Sequence, residues 1–184
     1  MQTIKNNFMG MNHAYIAELQ MEAANTRKML AVVPTDKNDF TPHEHSMNLG
    51  RLSTHVAELP SWVSFTMAAD ELDLAKMEYK PTLATSTEEL LAKHDAAVAQ
   101  AIASLESATD EDLHKMWTLR RGDHVVFTLP KMVVLRSMAY NHIYHHRGQL
   151  SVYLRLLGVA FPGMYGPSYD DSVAAKAAAM AASN

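Results

Sequence analysis

The chain has 184 residues, a formal net charge of −4 and a sequence isoelectric point near 6.2. Its acidic and basic residues are interspersed, so there is no basic stripe to neutralise nucleic-acid phosphates, and DNA and RNA drop out as expected partners. It has no cysteine, which removes disulfides, thiol nucleophiles and thiolate ligands and leaves histidine and carboxylate as the side chains able to hold a metal.

No window approaches the run of about 18 apolar residues that a membrane span needs, and Met1 to Met11 lack a basic region followed by an apolar core. A cytoplasmic chain without a membrane partner is expected. The first pattern in chain order covers residues 6–33, where Phe8, Met11, Tyr15, Ile16, Leu19, Met29 and Leu30 recur at helical spacing until Pro34 stops them. Thr41-Pro42-His43-Glu44 then reads as a capping box that starts a second helix near Pro42. That helix runs through Leu52, His55, Leu59, Trp62 and Phe65 to about Ala69, kinked at Pro60.

Leu72 to Thr85, containing Pro81, is a link. Ser86-Thr87-Glu88-Glu89 carries a second capping signature and opens a third helix to about Ser107, with Leu90, Ala97, Ile102 and Leu105 inward and Lys93, His94 and Asp95 toward solvent. Between Thr109 and Leu129, Arg121-Gly122-Asp123 reads as a turn and Val125-Val126-Phe127 as a short extended piece. Pro130 suits the first turn of a last helix ending at Leu157, with Gly158 as its C-cap. The expected architecture is an all-α antiparallel four-helix bundle over residues 1–170, with a long link after the third helix that leaves room for a crossover. Residues 171–184 form an alanine-rich tail, helical, frayed or acting as a lid.

The chemistry concentrates in Asn141-His142-Ile143-Tyr144-His145-His146-Arg147-Gly148-Gln149-Leu150. Residues at i and i+4 share one helix face, so His142 and His146 can offer ring nitrogens to a common point, whereas His145 is turned away. The spacing is that of the HExxH zinc-protease motif, but Ile143 follows His142, so the built-in base of that motif is missing.

Alternating steps of four and three along the last helix place Leu135, Ala139, His142, His146, Gln149, Tyr153 and Leu156 on one inward stripe; on the second helix they place Asn48, Leu52, His55, Leu59 and Trp62. An unpartnered buried imidazole costs roughly 1 to 3 kcal/mol, and one metal ion would satisfy His55, His142 and His146 together. Three imidazoles leave open coordination positions, as in catalytic sites. All-nitrogen ligation suits Zn, Ni, Cu or Fe and argues against Ca or Mg; one divalent ion, Zn, Ni or Fe, is expected.

Three further residues stand near this set. Arg147 either orients a carboxylate or phosphate or makes an interhelical salt bridge. Gln149 either bonds a group around the metal or is a satisfied core amide. Glu58, the carboxylate nearest His55 on the second helix, is either a base or part of a solvated face. Trp62 and Trp117 read as core, and His13, His43, His45, His94 and His124 as solvated.

The segments Pro42 to Leu52, His55-Val56-Ala57-Glu58-Leu59-Pro60, Asn141 to Leu150, Tyr153-Leu154-Arg155 and Pro162-Gly163-Met164-Tyr165-Gly166 together resemble the DinB (YfiT-like) family of metal-dependent enzymes, from about Asn12 to Asp170. The resemblance implies a four-helix bundle, often homodimeric, with the metal held by one histidine on the second helix and a pair on the last, matching His55, His142 and His146. It also implies thiol-dependent transferases and isomerases among the relatives. Two departures are His45, where lysine is expected, and the tail, which has no counterpart. The expected function is a metal-dependent enzyme on a small molecule, a hydrolase using metal-activated water or a thiol S-transferase. The alternative is a non-catalytic metal-binding, stress-response bundle, and a pocket reaching the metal's open positions would separate the two.

Overall fold

A computed structural model describes residues 10–78 and 82–183. Helix α1 (Met11–Leu30) is followed, after a 3₁₀ turn, by α2 (Leu49–Glu58) and α3 (Ser61–Ala68). Strand β1 (Glu71–Asp73) precedes α4 (Thr87–Glu106) and the short α5 (Asp110–His114), and then come β2 (Met116–Arg121) and β3 (His124–Pro130). The last long helix runs as α6 (Lys131–Val134), a π-helical stretch over Leu135–Tyr140 and α7 (Asn141–Leu156), and α8 (Tyr169–Ala182) closes the described chain. The part of the expected first helix over residues 6–9, and Pro81 in the expected link, lie outside the described residues.

The helices are built where local signals are strong. Ser86 caps α4 by accepting the Glu89 amide, while the Glu89 carboxylate accepts from Thr85 instead of closing the box on Ser86 itself. Gly158, at φ +71°, ends the helix that Pro130 begins, a conformation glycine adopts without steric cost. Between these limits the Asn141 amide donates to the Arg136 carbonyl, five residues back, so the helix widens just before His142.

Two expected boundaries shift. Thr41 does not cap a helix: its hydroxyl donates to the His43 carbonyl, and the loop folds back through Leu49 and Gly50 amides donating to the Phe40 and Asn38 carbonyls. Helix α2 therefore starts later, with the Asn48 side chain accepting the Arg51 amide at 2.8 Å. Pro60 separates two helices, α2 and α3, where a single kinked one was expected.

The all-α expectation is corrected by a three-stranded mixed sheet, in the order β1-β2-β3. β2 and β3 form an antiparallel hairpin around Gly122 at φ +58°, with a bulge between Leu119 and Arg120, and β1 lies parallel to β2, Leu72 opposite Leu119. The sheet forms because β2 alternates: Trp117 and Leu119 point inward and are buried against Val134, Leu72 and Phe127, while Thr118 and Arg120 face the other way. A ring as large as Trp117, fully buried, contributes about 2 to 3 kcal/mol on transfer scales.

Two helical cores flank this third cluster. Leu30, Leu49, Leu52, Leu90, Leu150 and Leu154 fill one end. Leu19, Val63, Leu105, Leu113, Leu135 and Tyr140 fill the other. His94, expected in solvent, is 1% exposed on α4, and its Nε2 lies 3.2 Å from the Ala23 carbonyl oxygen. The alanine-rich end is helical: Ser168 and Asp171 form a capping box at the start of α8, which buries none of its residues. It is tethered through Arg155, which donates to Asp170 at 2.7 Å.

Candidate metal centre

His55 comes from the middle of α2, and His142 and His146 from the first turns of α7. One ring nitrogen from each lies within 4.8 Å of the other two. The His55 and His142 Nε2 atoms are 3.4 Å apart, and the ring centroids of His55 and His146, and of His142 and His146, are each separated by 4.6 Å.

The Nδ1 atoms of His142 and His146 are occupied. His142 Nδ1 lies 3.2 Å from the Met138 carbonyl oxygen and His146 Nδ1 2.7 Å from Gln149 Oε1. Both partners only accept, so both Nδ1 atoms carry the proton and both Nε2 lone pairs are left free.

The three rings are neutral at physiological pH. Burial pushes the His55 pKa down to about 4, with further lowering from charge on His146 and His142 and from the Arg51 guanidinium. Burial also lowers His142 and His146, and this outweighs the opposing hydrogen bonds to Met138 and Gln149. Neutral imidazoles with converging lone pairs fit a divalent transition-metal ion, for which protons would otherwise compete.

The histidines stand at the edge of the core. The buried residues of α7 are Ile143, His146, Arg147, Leu150, Tyr153 and Leu154, while Gln149 is exposed and Leu156 is 60% exposed. Of the inward stripe expected from alternating steps, Leu135, Ala139, His146 and Tyr153 are buried and His142 is half-buried, while Gln149 and Leu156 turn outward, because a helix of 3.6 residues per turn drifts from a 3.5-residue seam. On α2 the half-buried residues Arg51, His55 and Glu58 share one face, which borders a cleft of about 580 Å³ walled by Trp62, Phe65 and Leu74. Arg121, at the end of β2, also lines it.

Arg147 does not line this cleft. It is 3% exposed and lies on the α1 side, where Nη2 donates to Glu22 Oε2 at 2.6 Å and Nη1 to the Glu22 carbonyl and to Thr26 Oγ1. The Tyr165 hydroxyl accepts from Arg147 and donates to Glu22, pinning the coil before α8 to the same pair. Glu58 does line the cleft, and Gln149 orients His146.

Sequence reasoning missed three contributors to the cleft. Trp62, which packs against the core as read, is also a cleft wall, and Arg121, read as part of a turn, reaches the cleft through the sheet. Arg51 had a usable signal, since it lies four residues before His55 on the same face.

The family model for DinB matches residues 2–178. The chain belongs to the DinB family. Solved structures share the fold of this DinB-family protein. A DinB-like protein from Bacillus cereus superposes with a TM-score of 0.64 at 22% identity, covering 83% of this chain and 97% of its own. A DinB-like protein from Bacillus subtilis gives 0.63 at 19% identity, covering 82% and 97%. A member of the family from Exiguobacterium sibiricum gives 0.59 at 21% identity, covering 89% and 99%. No curated protein matches the chain. Among the described residues, no helix is long and apolar enough to cross a membrane.

Proposed function

We propose that this DinB-family protein is a metal-dependent enzyme acting on a small molecule, with one divalent transition-metal ion, Zn, Ni or Fe, held by His55, His142 and His146. The observation that carries the reading is the convergence of three neutral imidazoles, two with their tautomer fixed by Met138 and Gln149, beside a cleft bordered by His55. A divalent ion there would supply Lewis acidity, lowering the pKa of a bound water or thiol toward neutrality. Water as the nucleophile makes the enzyme a hydrolase; a thiol makes it an S-transferase.

The residues of the chain supply the rest. The Met138 carbonyl and Gln149 hold the Nδ1 protons in place, and Leu59, Trp62 and Phe65 give the cleft apolar walls that exclude water from one side of a bound molecule. Glu58, on the His55 face of α2, is the carboxylate bordering the cleft and is positioned to exchange a proton with a molecule there. An open cleft bordered by His55 supports catalysis over the alternative of a closed, non-catalytic metal-binding bundle.

Elemental analysis of untagged protein purified without added metal tests the reading. About one equivalent of Zn, Ni or Fe is expected, lost in both His55→Ala and His142→Ala. Wild-type protein that is metal-free and takes up none of these ions would end it. Loaded protein is then screened for ester and amide hydrolysis and for thiol transfer, where Glu58→Gln should lower turnover about 100-fold if Glu58 moves the proton.

A further inference from the structure

The cleft beside His55 has an uneven chemistry. Its walls are apolar and aromatic: Leu59 lies beneath, Trp62 and Phe65 meet edge to face with centroids 6.2 Å apart, and Leu74 and Met77 come from the segment following β1. Phe65 is 43% exposed, an aromatic ring left in solvent.

Arg121 also lines the cleft, and its surroundings differ from those of its neighbour. Arg120 is neutralised, donating to Glu71 at 2.8 and 3.1 Å and lying 3.6 Å from Asp73. Strand alternation turns Arg121 to the opposite side, where it lines the cleft and, among the described residues, makes no hydrogen bond or ion pair. Arg51 and Glu58 also border the cleft but have interactions of their own, so Arg121 is the charge available to a ligand. Its planar fork pairs with a carboxylate or other oxyanion through two parallel bonds, and the cleft volume of about 580 Å³ lies within the range of small-molecule sites.

We infer that the cleft binds an amphipathic organic acid, its apolar body against Trp62, Phe65, Leu74 and Met77, its acidic group on Arg121, and its other end at His55. That such an acid is the substrate rests on the metal-centre reading above; that it binds does not. The acid spans from the sheet to the histidines, which gives β1 and β2 a role in recognition as well as in packing. A neutral analogue keeps the apolar contacts and loses the charge-assisted bonds, about tenfold in affinity.

Phenylbutyrate and its uncharged counterpart phenylbutanol are the probes, titrated at neutral pH into chelator-treated protein by calorimetry and by tryptophan emission. Trp62→Phe shows how much of the signal belongs to the cleft rather than to buried Trp117. Phenylbutyrate should bind about tenfold more tightly than phenylbutanol. Arg121→Ala should erase that preference while leaving phenylbutanol unchanged, and Arg121→Lys should restore part of it. Equal affinities, a preference that survives Arg121→Ala, or no binding of either compound at millimolar concentration would overturn the inference. Repeating the titration in His55→Ala protein separates the two readings. A preference that depends on Arg121 in protein unable to hold metal keeps the cleft assignment even if the metal reading falls, and metal uptake without the preference does the reverse.

Discussion

His146 and Arg147 are neighbours on α7 and sit in opposite kinds of polar cluster. On the α1 side, Arg147, Glu22, Thr26 and Tyr165 use their hydrogen-bonding groups on one another, and both charges are buried to 3% exposure. On the α2 side, His55, His142 and His146 bring ring nitrogens together, joined by a single 3.4 Å contact between the His55 and His142 Nε2 atoms. A polar cluster satisfied from within holds the fold together. One that brings three ring nitrogens together with a single contact among them has room for something from outside the chain, and a cation is what neutral imidazoles bind.

The comparison is broken most severely at its satisfied half. Arg147→Ala leaves Glu22 charged and buried without its partner, and should cost about 3 to 5 kcal/mol of unfolding free energy in urea titrations. Pairing it with Glu22→Leu should return part of that loss, because the cost lies in the stranded charge. A loss below 1 kcal/mol for Arg147→Ala would mean that the pair is not a structural clamp.

The open half responds in metal affinity and little in fold. His146→Ala should weaken ion binding by more than about 100-fold, the upper figure for losing only an outer hydrogen bond, while metal-free stability changes by less than about 1 kcal/mol. Competition with a chromogenic chelator measures the first and urea unfolding the second. Gln149→Ala leaves all three rings present and frees the His146 tautomer, so its expected effect is smaller, about tenfold in affinity.

Acidity gives the smallest effect. The three histidines have folded-state pKa values below the ordinary value of 6.5, His55 down to about 4. The unfolded chain therefore binds more protons between those limits, and metal-free stability is present above pH 6.5 and declines as pH falls toward 4. The decline assignable to His55 is on the order of 1 kcal/mol, since solvent at the half-buried ring screens the rest. Thermal unfolding of wild type and His55→Ala across that range should show a shallower slope in the variant.

Much of the candidate site is legible in the sequence because its parts are local. The spacing of His142 and His146 is a property of one helix, and that helix is delimited by Pro130 and Gly158, whose backbone preferences act whatever the rest of the chain does. His55 is legible from its position between Leu52 and Leu59 on a helix. The Thr41 signature was misleading for a physical reason: a side-chain cap of about 1 kcal/mol is outweighed once the Asn38 and Phe40 carbonyls take the Leu49 and Gly50 amides and Asn48 caps instead. His94 shows the same limit, for its helix position is polar in sequence yet lies against α1, where the Ala23 carbonyl meets its ring.

Local sequence signals are enough to show that the main helices exist, that two histidines share a face of the last one, and which residue of the second stands among core leucines. These follow from propensity, capping and periodicity, which act within a few turns of chain. Tertiary structure decided the sheet and what the sheet does. Strand β1 has three residues, too few to register as a pattern, and it exists because it lies parallel to β2, with Glu71 opposite Thr118, far along the chain. That non-local pairing carries Leu74 and Arg121 to the cleft, so the metal ligands could be read from the sequence while the walls of the cleft beside them could not.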